Sequence, residues 1–317
     1  MNSHESPPRL SILIPVYNWD VTWLVESLRS EIELAGLHEA VELKCFDDAS
    51  TDHQLREINR RLFAGSGRGW EEYREASINQ GRAKIRLDLA AVAKGEWLLF
   101  MDADVIPDSK KYLNIYIDEI KKGSADAVCG GTGYSQRIMT GSQFDFYLYL
   151  VARAGQSNAA MRNNVPWQML LTSNMLVRRE VFQKIPFDSR FVCYGYEDQE
   201  WGIRVKNAYR LLHIDNTVSH LGLQTKSELY RKMRESIGNY DLLRQWHPRE
   251  FAETSMASVE NFFSRFPISM LTRLDLLLEK VYFLLDRPYS LVFFCYQLNK
   301  AVLLAMAKNR RVTSAEL

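Results

Sequence analysis

The first 130 residues of the chain alternate between short apolar runs and amphipathic stretches. Apolar runs predict strands at Leu10–Asn18, Val41–Phe46, Trp97–Met101 and Ala125–Gly131. Pro15, which cannot donate to a central ladder, is predicted to stop the first strand. Between the runs, apolar residues recur at helical spacing. Alternating strands and helices predict an α/β fold with a mostly parallel sheet and right-handed crossovers.

The run Trp97–Met101 leads directly into two carboxylates. Five large apolar residues in succession predict a strand covered on both faces, and ligands bind at the carboxyl ends of such strands. If the extended geometry continues, Asp102 and Asp104 lie on the same side, where they can share a divalent cation or divide between a cation and a sugar hydroxyl. Aspartate after a strand is also a common turn former, and Asp108-Ser109 can cap the next helix. This pattern alone therefore does not distinguish a ligand site from a structural turn.

A second group of polar residues follows the strand Val41–Phe46. A carboxylate at the position of Asp48 can accept the N–H of a pyrimidine ring, although a turn aspartate is the simpler interpretation. Asn79-Gln80-Gly81 precedes a helix whose first turns carry Arg82 and two more cations, where the helix dipole disfavours positive charge unless an anion is near. This conflict favours a bound diphosphate, and a solvated basic helix face is the alternative.

A further chemical centre lies after Gly195, which permits a tight turn. Glu197 and Asp198 then open a helix whose dipole favours carboxylates. A carboxylate there can accept the proton of an attacking hydroxyl as a general base, although acids in a first turn also simply stabilise a helix. His220 follows a strand-like stretch, and a lone histidine is more often structural than a ligand. His213 lies on the strand pattern and is interpreted as a core or edge residue.

Composition limits the classes of function. The 317 residues include 40 Lys and Arg against 39 Asp and Glu, and a formal net charge of +1 gives no electrostatic reason to expect a nucleic-acid partner. Four widely separated cysteines without a Cys-x-x-Cys pair are typical of reduced thiols in a cytoplasmic protein. Met1–Arg9 is polar and lacks the apolar core of a secretory signal, and we expect no membrane-spanning segment.

The chain from Phe251 onward is apolar and helical. These helices can cover the sheet domain, form a dimer, or lie on a membrane surface with Lys308, Arg310 and Arg311 facing anionic lipid. The aromatic-rich segment Tyr282–Tyr296 motivates the membrane alternative.

Four motifs in this order resemble the family 2 glycosyltransferases, which have the GT-A fold. They are Ile14-Pro15-Val16-Tyr17-Asn18, Asp47-Asp48-Ala49-Ser50-Thr51-Asp52, Asn79-x-Gly81 and Asp102-Ala103-Asp104. The resemblance implies a Rossmann-like sheet and an inverting transferase that uses a nucleotide-activated sugar and Mn²⁺ or Mg²⁺.

Carried over by position, the resemblance implies a donor site and a metal ligand. The implied donor-binding residues are Pro15, Tyr17, Asp48, Asn79, Gly81, Arg82 and Asp102. In these roles Pro15 and Tyr17 line the nucleotide site, Asp48 contacts the base, and Asp102 lies near the ribose or metal. Asp104 is the implied metal ligand. Many relatives have asparagine directly after the Ala-Arg or Ile-Arg of the glycine motif. This chain has Leu87 after Arg86, which puts a donor contact from that position in doubt.

The second half resembles the Glu-Asp segment of chondroitin-polymerase-like and galactosyltransferase-like enzymes. The resemblance implies that Asp198 is the catalytic base, that Glu197 holds acceptor or donor hydroxyls, and that His220 completes the metal shell. It covers roughly Leu10 to Leu242. The aromatic and cationic stretch Tyr134–Gln168 could form an acceptor-binding wall or ordinary core.

The predicted organisation is a GT-A domain followed by a helical extension. The predicted ranges are 1–245 for the domain, about 10–130 for its nucleotide-sugar half, about 131–245 for its acceptor half, and 246–317 for the extension.

The sequence thus predicts a metal-dependent hexosyltransferase that moves a sugar from a UDP-sugar to a hydroxyl of a glycan or lipid-linked saccharide, in polysaccharide biosynthesis. A nucleotidyltransferase is one alternative, but it should carry a basic glycine-rich loop where this chain has Ile12–Asn18. The other alternative is a non-catalytic homologue that binds a nucleotide-sugar, in which loss of Asp104 or Asp198 would be expected. We expect a cytoplasmic location, with peripheral contact at the inner face of the cell membrane as a variant of it.

Overall fold

The computed structural model describes residues 10–133, 141–155 and 158–315. Met1–Arg9, and residues 134–140 and 156–157 of the predicted acceptor stretch, lie outside these ranges. The chain divides into two units that are interleaved along the sequence. The first unit consists of Met1–Ile138, Gly155–Ser189 and Trp201–Gly222, and the second of Met139–Ala154, Arg190–Glu200 and Leu223–Leu317. The domain boundary near residue 245 stays a prediction.

The first unit contains two sheets. Its strands are β1 (Leu10–Val16), β2 (Val41–Asp47), β3 (Glu71–Glu75), β4 (Trp97–Met101), β5 (Val105–Pro107), β6 (Ala127–Cys129), β7 (Thr132–Gly133), β8 (Asn174–Arg178), β9 (Leu211–His213) and β10 (Val218–His220). Within the described residues, the larger sheet has the order β3-β2-β1-β4-β8-β6-β9 and the smaller one β5-β10-β7. β1 lies parallel to β2 and β4, whereas β8 runs antiparallel to β4 and β6. The prediction of a mostly parallel α/β sheet is confirmed.

Helices cover both faces of the larger sheet. In chain order the helices are α1 (Thr22–Leu34), α2 (His53–Phe63), α3 (Arg82–Val92), α4 (Tyr112–Lys122), α5 (Asp145–Gly155), α6 (Ala159–Arg162), α7 (Arg179–Lys184), α8 (Glu197–Lys206), α9 (Lys226–Glu235), α10 (Ile237–Trp246), α11 (Pro248–Ala252), α12 (Ser255–Phe263), α13 (Ile268–Leu284) and α14 (Tyr289–Ala315), with a 3₁₀ turn at Ser142–Phe144. Leu99 and Met101 of β4 belong to the core cluster with α1 and α4, while Leu98 and Phe100 belong to the one with α3 and α7. All five residues of β4 are therefore buried, as a strand covered on both faces requires.

Two local predictions from the sequence are wrong. β1 continues through Pro15 to Val16, because its pairing with β4 ends at Leu13 and the missing N–H of Pro15 interrupts no ladder there. Asp108 does not cap α4, which begins at Tyr112. Instead the Asp108 carboxylate accepts hydrogen bonds from the hydroxyl groups of Thr217 (2.7 Å) and Ser219 (2.5 Å).

The second unit is helical and has its own apolar clusters. Phe146 of α5 packs in one cluster with Tyr230 of α9, Tyr282 of α13 and Val292 of α14. A second cluster joins α12, α13 and α14. Within α14, the segment Tyr289–Arg311 is long and apolar enough, by length and composition, to cross a membrane, and 44% of its apolar 18-residue stretch is buried. The sequence analysis expected no segment that meets these criteria, and α14 meets them. A buried core helix can also meet them.

Candidate functional site

Asp102 lies at the carboxyl end of β4 and is held by a buried arginine. Arg86, on α3, is 3% exposed and donates from Nη2 to Oδ1 of Asp102 over 2.6 Å. Burial alone would raise the pKa of Asp102, but the positive charges of Arg86 and Arg82 outweigh it and hold the pKa below its ordinary value. Arg86 therefore acts on the site through Asp102.

Asp104 and His220 come together through the smaller sheet. Antiparallel pairing of β5 with β10 places His220 opposite Val105, the residue after Asp104. The N–H of Leu221 donates to the carbonyl oxygen of Asp104 over 2.7 Å, and Nε2 of His220 lies 3.3 Å from Oδ2 of Asp104. Burial raises the pKa of Asp104, and the charge of Asp102 adds to this rise, although His220 opposes it. The structure thus brings together two residues 116 positions apart, to which the sequence analysis gave roles in one metal shell.

Gly222 makes room for this pair. A Cβ at this position would overlap Oδ2 of Asp104 and would lie 2.9 Å from Cε1 of His220. Glycine is therefore the residue that the arrangement requires. The sequence analysis assigned Gly222 no role, because the approach of Asp104 is created only by the pairing of β5 with β10.

The Asp104 and His220 side chains fit a divalent cation. Two ligands at right angles, each about 2.1 Å from an octahedral ion, lie about 3.0 Å apart, close to the 3.3 Å between Oδ2 and Nε2. Within the described residues, no group of three or more His, Cys, Asp or Glu side chains could hold an ion. Mg²⁺ commonly takes only one or two carboxylates from the protein and completes its shell with substrate phosphates and water. This donor set suits an ion that binds together with a diphosphate.

The predicted nucleotide residues form a hydrogen-bonded loop system at the ends of β1 and β2. The Asp48 carboxylate accepts from the backbone N–H groups of Gln80 (2.8 Å) and Gly81 (2.9 Å), and Asn79 Nδ2 donates to the Asp48 carbonyl oxygen (2.9 Å). Each carboxylate oxygen has a second lone pair, so these bonds leave acceptor capacity. Gly81, with φ of +84°, is the residue before α3, and Arg82 is exposed in the first turn of that helix.

Pro15 and Tyr17 lie beside this loop system, which is reinforced by motif residues to which the sequence analysis gave no individual role. The side chain of Tyr17 is half exposed. The N–H of Asn18 donates to Ser50 Oγ (2.8 Å), and Ser50 Oγ donates to the buried carboxylate of Asp47 (2.7 Å). These contacts tie the end of β1 to the end of β2. Short polar residues after a strand are the signal that could have indicated them.

Glu197 and Asp198 lie in the second unit. They open α8, and the start of a helix at this point agrees with the sequence prediction. Glu197 is buried and Asp198 half-buried. The turn before them contains two residues in the left-handed region, Gly195 (φ +74°) and Tyr196 (φ +69°). The structure thus places the predicted base and the Asp104 and His220 pair on different units.

His213 is a core residue, which agrees with one of its two interpretations. It is 2% exposed, and its Nε2 lies 2.9 Å from the carbonyl oxygen of Pro166. Burial lowers the pKa of His213. The neutral ring therefore fills a structural position in the core.

Solved structures with the same fold include S. aureus TarS and a mannosyltransferase. S. aureus TarS 1-349 in complex with UDP superposes with a TM-score of 0.52 at 17% identity, covering 96% of this chain and 92% of that one. The mannosyltransferase PcManGT from Pyrobaculum calidifontis, in complex with GDP-Man and Mn²⁺, gives a TM-score of 0.59 at 16% identity, covering 96% and 88%. These similarities confirm the predicted GT-A fold.

Sequence comparison leads to the family. A poly(ribitol-phosphate) beta-glucosyltransferase from Bacillus spizizenii is 32% identical over 128 residues, which is 38% of this chain and 19% of that protein. The chain thus spans about a fifth of the length of this curated relative. The profile named "Glycosyl transferase family 2" matches residues 11–186. Because this match spans more than half of the chain and includes all four strand-end motifs, the chain belongs to glycosyl transferase family 2.

Proposed function

We propose that this chain is an inverting, metal-dependent glycosyltransferase that moves a sugar from a UDP-sugar to a hydroxyl of a glycan or lipid-linked saccharide. The observation that carries the proposal is the pair formed by Asp104 Oδ2 and His220 Nε2, 3.3 Å apart beside Asp102 at the carboxyl end of β4. Ligand sites lie at this edge of an α/β sheet. Family membership favours glycosyl transfer over nucleotidyl transfer.

The donor would lie across the loops that follow β1 and β2. Asp48 retains lone pairs for the N–H of a base, and the half-exposed ring of Tyr17 offers an apolar surface beside it. Arg82, in the first turn of α3, adds positive charge to a helix N-terminus that already favours anions. The solved relatives were bound to UDP and to GDP-Man, so both nucleotides belong in a binding test.

Asp104 and His220 would hold the cation, with Mn²⁺ the first candidate because the mannosyltransferase relative contains it. When bound, such an ion neutralises negative charge that develops on the leaving diphosphate. Asp102, held by Arg86, would accept a hydrogen bond from a donor hydroxyl. Arg82 would orient the diphosphate.

Asp198 would act as the general base. Its carboxylate takes the proton of the acceptor hydroxyl as that oxygen forms a bond to the anomeric carbon and the bond from this carbon to the diphosphate breaks. Direct displacement of this kind inverts the configuration at the anomeric carbon. Glu197, next to Asp198, would accept hydrogen bonds from acceptor or donor hydroxyls.

The test is the substitution Asp198→Asn, which keeps the shape of the side chain and removes the base. We expect kcat to fall by about 10²-fold or more with unchanged affinity for UDP, since general bases contribute about 10²–10⁴-fold. UDP release from UDP-glucose and UDP-GlcNAc measures turnover, and calorimetry measures UDP binding. Asp286→Asn is the matched control, because that side chain is 96% exposed. Near wild-type transfer by Asp198→Asn would contradict the base assignment.

The acceptor class can be narrowed by the same assay. The curated relative is named for poly(ribitol phosphate), so this polymer is the first acceptor to try with this chain. If UDP-sugar binds but neither polymer nor water leads to UDP release, the alternative of a non-catalytic nucleotide-sugar-binding homologue gains support.

We also propose a cytoplasmic location with contact to the inner membrane surface. The four cysteines are free, which is compatible with a reducing compartment. The lipid-facing cations expected from the sequence are engaged otherwise, since Lys308 pairs with Glu260 (3.1 Å) and Arg311 with Asp241 (2.6 Å). Tyr282 is buried. A different surface is therefore the candidate.

That surface is the exposed side of α13. Its large apolar residues are Met270, Leu276, Leu277, Phe283 and Leu284. The exposed charges among them are Arg273 and Lys280, whereas the acids of this helix, Asp275 and Glu279, lie 2.8 and 3.9 Å from Arg234. Apolar side chains interspersed with cations complement an anionic lipid surface. Two copies of this side facing each other would bring like charges together, which disfavours a dimer here.

A further inference from the structure

The turn that precedes Glu197 and Asp198 adopts an unusual backbone conformation. Gly195 and Tyr196 are consecutive residues in the left-handed region, with φ of +74° and +69°. Glycine adopts this region freely, but a tyrosine does not, so Tyr196 needs support from its surroundings. That support comes from α10 and α14, in the same unit of the chain.

Asn239 of α10 holds the backbone of this turn. Its side chain is 0% exposed, and its Nδ2 donates to the carbonyl oxygens of Cys193 (2.8 Å) and Gly195 (2.7 Å). Its Oδ1 accepts from the N–H of Cys193 (3.2 Å). Only a primary amide offers two donors and an acceptor in this arrangement. One side chain thus satisfies three backbone groups of the turn.

The residues on either side of Asn239 also contact the turn. The ring of Tyr240 stacks on that of Tyr196, with centroids 4.2 Å apart and an interplanar angle of 4°. Lys300 of α14 places its Nζ 4.8 and 5.0 Å from the centroids of these two rings. A Cβ at Gly238 would lie 3.0 Å from Sγ of Cys193, so α10 approaches the turn closely. Three consecutive residues of α10, namely Gly238, Asn239 and Tyr240, therefore pack against this turn.

We infer that Asn239 is a positioning residue for the transfer reaction, and that the helices of the second unit orient the catalytic base. The inference rests on the proposed function, because it takes Asp198 as the base. Asn239 contacts Cys193 and Gly195, and Asp198 follows Gly195 by three residues, across the left-handed Tyr196. Loss of the amide would let this turn relax and would move the first turn of α8, on which Glu197 and Asp198 lie.

The test compares Asn239→Ala with Asn299→Ala in the full chain. Asn299 is a matched control, because it is also 0% exposed and makes three hydrogen bonds in the same unit, from Tyr230 Oη (3.1 Å) and to the carbonyl oxygen (3.3 Å) and Oδ1 (2.9 Å) of Asp275. We expect both variants to lose thermal stability and to keep their affinity for UDP. Only Asn239→Ala should lower kcat, by about 10- to 100-fold, with the donor KM within about twofold, because small misplacements of reacting groups have effects of this size.

Asn239→Asp adds a test of hydrogen-bond chemistry at constant shape. Aspartate can still accept from the N–H of Cys193, but it opposes two carbonyl oxygens with a carboxylate oxygen in place of a donor. We expect kcat to fall at least as far as in Asn239→Ala. UDP release from UDP-glucose is followed with poly(ribitol phosphate) as the acceptor and, separately, with water in its place.

The outcomes separate this inference from the proposed function. Equal kcat in Asn239→Ala and Asn299→Ala, with Asp198→Asn inactive, would overturn the positioning role and leave the base in place. Loss of kcat in Asn239→Ala, with Asp198→Asn still active, would support a positioning role for the turn and remove Asp198 as the base.

Discussion

Substitution of Gly222 by alanine should weaken metal binding without unfolding the protein. The added Cβ would overlap Oδ2 of Asp104 and would lie 2.9 Å from Cε1 of His220, about 0.5 Å inside the 3.4 Å at which ordinary contacts begin. The φ of Gly222 lies outside the left-handed region, so alanine brings no backbone strain. The effect of the substitution is therefore steric and falls on the two proposed metal ligands.

The size of the effect follows from which atoms can move. The Asp104 carboxylate is 28% exposed and can turn toward solvent, so the overlap is relieved by moving Oδ2, by roughly 1 Å, rather than by displacing the sheet. Changes that disturb the orientation of a metal ligand typically reduce affinity by about 10- to 100-fold. This corresponds to about 1.4–2.8 kcal/mol. We expect the free energy of unfolding to change by less than about 1 kcal/mol, as is usual when the new group is accommodated at a surface.

The assay is calorimetric titration with MnCl₂ in the presence of UDP, because the diphosphate supplies ligands that the protein lacks. Gly69→Ala is the matched control, since that glycine also has φ outside the left-handed region and nothing within 4 Å of an added Cβ. Urea unfolding of both variants measures the free energy of unfolding. Wild-type affinity for Mn²⁺ in Gly222→Ala would refute the assignment of Asp104 and His220 as the metal pair.

Two further predictions concern the core and the surface. The free energy of unfolding should fall as pH drops from 7 to 5, by at most about 1.4 kcal/mol per pH unit from His213, because burial lowers its pKa and the unfolded chain then binds a proton that the folded chain does not. Urea unfolding at several pH values gives the free energy of unfolding as a function of pH. This free energy should fall less steeply with decreasing pH in His213→Gln than in the wild type. An equally steep fall in both would contradict the assignment of this effect to His213. Vesicles of phosphatidylglycerol should carry the protein upward in a flotation gradient. Replacing Leu276 and Leu277 together by glutamine should abolish flotation, whereas Leu34→Gln, at an equally apolar residue that is 87% exposed in the other unit, should not. Equal flotation of both variants would argue against contact through α13, and concentration-dependent dimerisation abolished by the same pair of substitutions would favour a second copy as its partner.

The elements of the sheet were predictable from local pattern. A run of five apolar residues is typical of a strand in a sheet that is covered on both faces, and β4 begins at Trp97 and ends at Met101 as expected. Strand ends collect polar residues because the chain must turn there, which is why the motifs around Asp48 and Asp104 could be located. The start of α4 was missed because aspartate is a common helix cap. Asp108 instead accepts hydrogen bonds from Thr217 and Ser219, which lie more than 100 positions later in the chain.

The sequence by itself determined the family, the α/β fold and which acids stand at strand ends, because these depend on residue types within a few positions of one another. Only the tertiary structure decided which of them share a site. The contact between Asp104 and His220 exists because β5 and β10 pair, and it requires a glycine at position 222. The hydrogen bond from Asn239 to the carbonyl oxygen of Gly195 joins residues 44 positions apart. Such contacts depend on packing between distant segments, whose long-range geometry leaves no periodic signal along the chain.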